Sequence, residues 1–125
     1  MGDEARQSVT GVGGVFFRSR DAKALTAWYA EHLGVPVQDD GYVLFAPSEH
    51  PCVWAPFAAD TEYWPAGKEA MVNFTVDDLD SMLAQLRAAG VEVDERVEVL
   101  DGVGSFGWAV DPEGNRFELW EPARA

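Results

Sequence analysis

An internal repeat is the sequence feature that most restricts the fold of this 125-residue chain. Residues 12–57 and 71–122 each begin with an apolar, strand-like stretch, VGGVFFRS in the first copy and MVNFTV in the second. In each copy aspartate follows, then a helical stretch that ends at glycine, then further strand-like stretches. Each copy therefore predicts a β-α-β-β-β module. One module alone cannot bury both its helix and its sheet, so we expect the two modules to pair.

Spacing and capping residues define the two predicted helices. Asp21 in the first copy, and Asp77 or Asp78 in the second, can accept hydrogen bonds from the free amides of the first helical turn. Gly34 and Gly90 suit the left-handed residue that commonly ends a helix. The apolar stripes that should pack on the sheet are Leu25, Trp28, Tyr29 and Leu33 in the first helix, and Leu79, Met82, Leu83 and Leu86 in the second.

Shorter strand-like stretches complete each module and define the fold class. They are YVLFA and PCVWAPF in the first copy, and VEVDERVEV, VGSFGWAV and NRFELWE in the second. We predict an α+β fold in which two paired βαβββ modules form a curved, mostly antiparallel sheet with the helices on its outer face. The predicted boundaries are a polar N-terminal tail (1–11), the first module (12–57), a connector (58–70) and the second module (71–122).

The charge balance and the cysteine content limit the partners and the location of the protein. With 9 basic and 22 acidic residues the formal net charge is −13, which disfavours nucleic acids and anionic membranes as partners. The single cysteine, Cys52, excludes an internal disulfide. The acidic N-terminus lacks the features of a signal peptide, and no apolar run reaches the roughly 18–20 residues of a membrane span. We therefore expect a cytoplasmic protein that binds neither nucleic acid nor membrane.

Strand alternation predicts which side chains face away from the helices. Val15 and Phe17 share the apolar face that should lie under the first helix. In the last strand, Phe117 and Leu119 share the face that should pack under a helix. The opposite, mixed face has aromatic walls and a few polar groups, as small-molecule clefts do. The alternative is that this face packs against another subunit or a loop. The candidate ligand-binding residues on it are Phe16, Arg18, His50, Cys52, Trp54, Arg116, Glu118 and Trp120.

Two further tryptophans are candidate ligand-binding residues whose positions the pattern leaves open. Trp64 lies in the connector, where it either covers the cleft or anchors the connector against the domain. Trp108 shares one face of its strand with Phe106, but alternation does not decide which face this is. For the charge of Glu118, one hypothesis is a pair with Arg18 or Arg116, and the alternative is a solvated carboxylate.

Three stretches resemble the glyoxalase/bleomycin-resistance/dioxygenase family of the vicinal oxygen chelate superfamily. They are GGVFFRSRDAKALTAWYAEHLGV, MVNFTVDDLDSM and DPEGNRFELWEP, and the resemblance extends from about residue 12 to residue 122. It implies paired βαβββ modules whose sheets curl round a cup, and a homodimer, since members of the superfamily often build their cups between subunits. In metal-dependent members, four cup positions hold His, Glu or Gln around a divalent cation.

Only one of the four implied metal-ligand positions carries a suitable residue in this chain. The first is Gly14, which has no side chain, and the third is Met71, whose thioether a hard cation would not choose. The second aligns with Cys52, and only Glu118 matches the family pattern. One carboxylate cannot hold a catalytic ion, so we predict no metal and no cofactor.

Two functions follow from these residues. The first is a metal-independent binding protein that sequesters a small aromatic or planar ligand, as in bleomycin-type antibiotic resistance, by stacking on its aromatic walls. The second is an enzyme of the same superfamily, a lyase, isomerase or dioxygenase. It would use either a divalent metal held by atypical ligands or metal-free acid–base chemistry at Glu118.

Overall fold

In both halves of the chain a strand is followed by a helix and then by further strands, two in the described part of the first half and four in the second. The structure is a computed structural model that describes residues 6–45 and 51–124. Its α+β class, with one helix and several strands in each repeat, confirms the predicted fold class. The elements are β1 (Val9–Ser19), α1 (Ala22–Leu33), β2 (Val43–Phe45), β3 (Cys52–Ala58), β4 (Ala70–Val76), α2 (Leu79–Ala88), β5 (Glu92–Val93), β6 (Glu98–Leu100), β7 (Gly104–Val110) and β8 (Arg116–Pro122).

The chain divides into two compact units, which we call the first unit (Val12–Val72) and the second unit. Among the described residues, the second unit combines residues 73–124 with residues 6–11. β1 begins at Val9, inside the segment predicted to be a tail. Within the second unit, the Gln85 side chain bonds the backbone of Gln7, and the hydroxyls of Thr10 and Thr75 lie 2.7 Å apart. These bonds explain why the early residues belong to the second unit.

In the first unit, β3 pairs in parallel with β1 and antiparallel with β2, and α1 packs on β3. The Asp21 carboxylate accepts a hydrogen bond from the Ala24 amide at 3.0 Å, which confirms the predicted N-cap. Gly34 ends the helix with φ of +67°, a left-handed conformation that glycine adopts without steric cost. Asp21 and Gly34, the residues from which the two ends of α1 are predicted, therefore cap the helix in the structure.

The predicted apolar stripe of α1 is only partly buried. Trp28 is 52% exposed and Leu33 is 64% exposed, so their part of the prediction is wrong. Tyr29 packs on Trp54 of β3 with 4.5 Å between ring centroids, whereas Trp28 lies along the helix surface against His32 at 4.7 Å. Contact with the sheet is thus concentrated on one side of the helix.

In the second unit, β8 pairs in parallel with β4 and antiparallel with β7, which also pairs with β5 and β6. Asp78, rather than Asp77, caps α2: its carboxylate accepts from the Ser81 amide at 3.1 Å and the Ser81 hydroxyl at 2.9 Å. These two hydrogen bonds lower the pKa of Asp78. The helix stripe is buried as predicted, in a core of Val76, Leu79, Met82, Leu83 and Leu119, with Leu86, Phe74, Val93 and Phe117 packed around it.

Neither helix within the described ranges is long and apolar enough to cross a membrane.

Candidate functional site

The face of the second unit that points away from α2 carries the most polar of the buried groups. Phe117 and Leu119 of β8 join the core beneath α2, so Glu118 and Trp120 face the opposite side, as alternation predicts. In the β7–β8 ladder, Trp108 lies directly beside Glu118. Trp108, and with it Phe106 beside Trp120, therefore lies on the Glu118 face, which settles the open question about that strand.

Glu118 is a buried carboxylate held by two neutral donors. The residue is 2% exposed. Its Oε1 accepts a hydrogen bond from Asn73 Nδ2 at 2.6 Å, and its Oε2 accepts one from Trp108 Nε1 at 2.9 Å. Asn73 is its ladder neighbour on β4, and Trp108 is its ladder neighbour on β7. The two donors fix the position of both oxygens and offset part of the cost of burying the carboxylate.

The side-chain amide of Asn73 donates a hydrogen bond in this arrangement but accepts none from the described residues. Its Nδ2 donates to Glu118, while its Oδ1 is buried and has no hydrogen-bond partner among the described residues. Asn73 itself is 2% exposed. Buried polar atoms are normally paired, so the unpaired Oδ1 beside the Glu118 carboxyl group is placed to accept a further hydrogen bond.

Two arginines surround the indole that binds Glu118. The guanidinium carbon of Arg96 lies 4.8 Å from the centre of the Trp108 ring, and that of Arg116 lies 5.3 Å from it. Arg116 Nη1 also contacts Asp94 Oδ2 at 3.3 Å. The hypothesis that Arg116 pairs with Glu118 is therefore wrong: its ionic partner is Asp94, because the Trp108 indole occupies the place beside the Glu118 carboxylate.

Asp94 anchors this arginine cluster. It accepts a hydrogen bond from the Arg96 backbone amide at 2.9 Å and one from the Arg116 side chain. These bonds, the first above all, together with the positive charges of Arg116 and Arg96, lower the pKa of Asp94 despite its partial burial. A lowered pKa in the folded state means that the contribution to stability is present above the ordinary aspartate range and is lost as pH falls through the lowered pKa.

Trp120 lies on the same face as Glu118, and its ring and its indole N–H both contact neighbouring residues. Its ring is stacked on Phe106, with 5.8 Å between centroids and 8° between planes. Its Nε1 donates to the Val103 carbonyl at 2.9 Å, and the residue is 7% exposed. Its place on the Glu118 face is as predicted, and Phe106 of β7 and the Val103 carbonyl in the preceding turn hold its ring and its N–H edge.

In the first unit, the face that points away from α1 is aromatic. Phe16 lies 5.4 Å from Phe57, and Tyr63 stacks on Phe57 with 5.7 Å between centroids and 12° between planes. Trp64 contacts Phe57 edge-on at 5.2 Å, and its Nε1 donates to the Lys68 carbonyl at 2.8 Å. Trp64 is 2% exposed, so it anchors the connector instead of presenting a free aromatic wall.

Arg18 organises the connector and is not available to a ligand or to Glu118. Its Nε donates to the Lys68 carbonyl at 2.9 Å, and its cation lies 5.1 Å from the centre of the Trp64 ring. All five of its N–H donors have acceptors, so the prediction of a ligand-orienting Arg18 is wrong. The other four bonds, at 2.8 to 3.1 Å, go to the carbonyls of Ala59, Thr61, Trp64 and Pro65.

The Arg18→Lys substitution is expected to lower the free energy of unfolding by about 2 kcal/mol, because an ammonium group cannot satisfy five carbonyls arranged around a planar fork. Urea unfolding followed by tryptophan fluorescence measures this loss. Arg20→Lys, at an exposed position directly after β1, is the matched control and should change stability by less than about 0.5 kcal/mol. Equal effects of the two substitutions would contradict the role of Arg18.

The structure places Trp54 and Cys52 on the helix side of β3, which corrects the prediction for both. Trp54 is the ladder neighbour of Val15, contacts Phe17 at 5.1 Å and packs on Tyr29. Cys52, two residues earlier, shares that side. Burial raises the pKa of the Cys52 thiol, so the thiol stays protonated. The remaining predicted residue, His50, lies outside the described residues.

The strand registers give a sharper test of the metal positions that the family resemblance implies. In the second unit, Glu118 lies beside Asn73, which is two residues after Met71. In the first unit, the residue beside Phe16, two residues after Gly14, is Ala55. Ala55, not Cys52, therefore corresponds to Glu118, and it offers no ligand atom.

Gly14 has no room for a ligand side chain. A Cβ atom there would lie 2.9 Å from the Val53 carbonyl oxygen and 3.2 Å from the Phe16 ring. Within residues 6–45 and 51–124, no group of three or more His, Cys, Asp or Glu residues is placed to hold a metal ion. The residues at the implied ligand positions therefore do not fit a divalent cation.

Sequence reasoning missed two residues of the Glu118 face. Alternation along MVNFTV places Asn73 on the mixed face of its strand and indicates no role for it, and Arg96 lies in the DERVE stretch, which has the appearance of solvated acidic surface. A signal for Asn73 existed, since it occupies an inward position in an otherwise apolar strand. No comparable pattern pointed to Arg96, because its contact with Trp108 depends on how a loop folds back.

Comparison with known proteins identifies the family. A sequence profile described as a glyoxalase-like domain matches residues 14–120. Searches of curated proteins gave no match.

Solved structures share this fold over nearly the whole chain. Methylmalonyl-CoA epimerase from Mycobacterium tuberculosis is 25% identical, with a TM-score of 0.65, covering 93% of this chain and 90% of that one. A variant of the Streptomyces coelicolor enzyme of the same name, in complex with 2-nitronate-propionyl-CoA, is 16% identical with a TM-score of 0.71, covering 94% of this chain and 100% of that one. A Legionella pneumophila structure described as NAD-dependent benzaldehyde dehydrogenase is 16% identical with a TM-score of 0.60, covering 88% and 98% respectively. The last two support the fold alone.

Proposed function

The chain belongs to the glyoxalase-like domain family, and from this premise we propose that it is an enzyme that uses Glu118 as a metal-independent general base. The proposed reaction is removal of a proton from a carbon atom next to a carbonyl group, as in an isomerase or epimerase. The observation that carries the proposal is the buried Glu118 carboxylate, with both oxygens held by Asn73 and Trp108. A buried carboxylate that neutral donors hold in place has the properties of a general base.

The comparisons support this class of reaction. The Mycobacterium tuberculosis structure, at 25% identity, is of an epimerase that acts on methylmalonyl-CoA. The stereocentre of that compound carries a hydrogen beside a thioester carbonyl, so its inversion requires this hydrogen to be removed and returned. In our chain, Gly14, Ala55 and Met71 supply no ligand for a cation, and the proposed chemistry therefore rests on Glu118 itself.

The proposed step moves one proton and one electron pair. The Glu118 carboxylate takes the hydrogen as a proton, the C–H electron pair forms a carbon–carbon double bond, and the carbonyl oxygen gains the negative charge. Returning a proton to the carbon reverses these changes. A protonated Glu118 needs an acceptor for its O–H, and rotation of the Asn73 amide would present Oδ1, which has no partner among the described residues.

Deuterium exchange tests this proposal without knowledge of the natural substrate. The protein, treated with a chelator, is incubated in D₂O with methylmalonyl-CoA and with a panel of small 2-oxo and 3-oxo acids. Loss of the proton next to the carbonyl is followed by NMR. We expect exchange above the protein-free rate for at least one compound, and no dependence on added divalent metal. Exchange that appears only when metal is restored would contradict the proposal.

The second candidate function is ligand sequestration, including the bleomycin-resistance type, which the aromatic face of the first unit favours. The exchange experiment, combined with a binding measurement, distinguishes it from the proposed enzyme. Phe57 and Tyr63 are half-buried there and stack on each other, whereas Phe16 beside them is buried. Saturable binding of an aromatic ligand, with no exchange in any panel compound, would support that second function instead. The homodimer remains a prediction, and sedimentation at micromolar protein concentration tests it directly.

A further inference from the structure

Arg96 and Arg116 carry hydrogen-bond donors that the fold leaves unused. The Arg96 guanidinium lies over the Trp108 ring at 4.8 Å and makes no hydrogen bond or ion pair within the described part of the chain. Arg116 contacts Asp94 through Nη1, whereas its Nε is buried and has no partner among the same residues. A guanidinium group has five N–H donors, so most donors of this pair are free.

The charge of the cluster is also incompletely balanced. The Asp94 carboxylate contacts Arg116 Nη1 and accepts a hydrogen bond from the backbone amide of Arg96, not from its guanidinium group. One carboxylate therefore faces two guanidinium groups, in a chain that has only 9 basic residues against 22 acidic ones. Two guanidinium groups that share one indole repel each other, and an anion bound between them would offset that repulsion.

We propose that Arg96 and Arg116 form a subsite for an oxyanion, a carboxylate or a phosphate, of the substrate on which Glu118 acts. This inference rests on the proposed function and adds the class of substrate: a small carbonyl compound that carries an acidic group. Guanidinium groups bind planar carboxylates and phosphates through paired N–H···O bonds, and the aromatic ring beneath them fixes their orientation.

The spacing of the subsite from Glu118 fits such a compound. Arg116 and Glu118 are two residues apart on the same face of β8, so their Cα atoms are separated by about 7 Å. Trp108 links the two groups, since its ring contacts both arginines while its Nε1 binds Glu118. A molecule held by its acidic group at the arginines would place a carbon two to three bonds away near the Glu118 carboxylate.

Titration with malonate, and separately with inorganic phosphate, tests the subsite. The ¹⁵N-labelled protein is kept at constant ionic strength with sodium chloride, and the indole N–H resonance of Trp108 is followed by NMR. We expect a saturable shift with at least one anion. The Arg96→Gln substitution should raise its Kd by at least about 5-fold, since one of two charge-assisted contacts is lost. Comparing the two anions distinguishes a carboxylate subsite from a phosphate subsite.

Arg20→Gln is the matched control, because Arg20 is an exposed arginine of the first unit and the change in net charge is the same. Its Kd should equal that of the unmodified protein. A shift that does not saturate, or equal Kd values for the two variants, would overturn the proposal. Thermal unfolding checks that Arg96→Gln remains folded. If it does not, Arg96→Lys, which keeps the charge but loses the planar fork, should give an intermediate Kd.

The outcome is independent of whether Glu118 is a base. The Glu118→Gln variant should still bind the anion, because Glu118 makes no contact with it. Saturable anion binding without proton exchange would contradict the proposed function and keep the subsite. Proton exchange in a protein whose Trp108 resonance does not respond to either anion would overturn the subsite and support the proposed function.

Discussion

Replacing Glu118 with Gln is expected to lower the rate of deuterium exchange next to the carbonyl by at least about 100-fold, the usual contribution of a positioned general base. Gln keeps the size of the side chain and one acceptor oxygen, so one of the two hydrogen bonds from Asn73 and Trp108 can survive. It removes the group that takes the proton. The measurement is the initial exchange rate at saturating substrate, with chelator present.

Glu121→Gln is the matched control for this variant. Glu121 lies on the same strand and its carboxylate accepts a hydrogen bond from the Leu79 amide at the start of α2. The substitution therefore has the same chemistry but should affect only stability, and the exchange rate should stay within about 2-fold of that of the unmodified protein. Glu118→Asp, which keeps a carboxyl group in a shorter side chain, should retain partial activity. An exchange rate in Glu118→Gln within about 3-fold of normal would refute the role of Glu118.

Replacing Gly104 with Ala is expected to lower the free energy of unfolding by about 3 kcal/mol or more, because strain and overpacking coincide there. Gly104 has φ of +135°, a conformation that side chains rarely allow. An added Cβ would collide with the Glu121 carbonyl oxygen and approach Trp120 Nε1 to 2.8 Å. The collision would also disturb the hydrogen bond between Trp120 and Val103. Chemical denaturation measures the loss.

Gly102→Ala separates the two contributions. Gly102 also has positive φ, at +77°, but an added Cβ would meet nothing within 4 Å. Only backbone strain remains, so we expect a loss of about 1–2 kcal/mol. Equal losses at the two positions would show that the close approach of β8 to Gly104 contributes little.

The features that could be predicted from the sequence are those set by local chemistry. The two N-caps, Asp21 and Asp78, and the left-handed Gly34 follow from preferences of a few neighbouring residues. The α2 stripe was also predictable, because 3.6-residue spacing and burial coincide there. On α1 the same spacing was misleading for Trp28, whose aromatic neighbours along the helix offer an alternative contact.

The site was less predictable, because it depends on register and on loops. The phrases CVWAP and ELWEP look equivalent in sequence, yet the ladders place Ala55, not Cys52, in the position of Glu118. A shift by an odd number of residues, here the three from Cys52 to Ala55, reverses the face of every side chain, and Trp54 therefore lies on the helix side instead of in the predicted cleft. Arg18 was misassigned for a related reason, since its five acceptors are carbonyls and backbone atoms leave no trace in a sequence pattern.

The tight packing of Gly14 against Val53 has a consequence for any attempt to convert this protein into a metalloenzyme. A histidine at residue 14 would have to push two neighbouring strands apart before its imidazole could reach an ion. A single substitution at this position therefore cannot supply a metal ligand without a shift of the backbone. Protein engineers who want a working cation centre here would need to redesign the strand spacing first and graft the donor atoms afterwards.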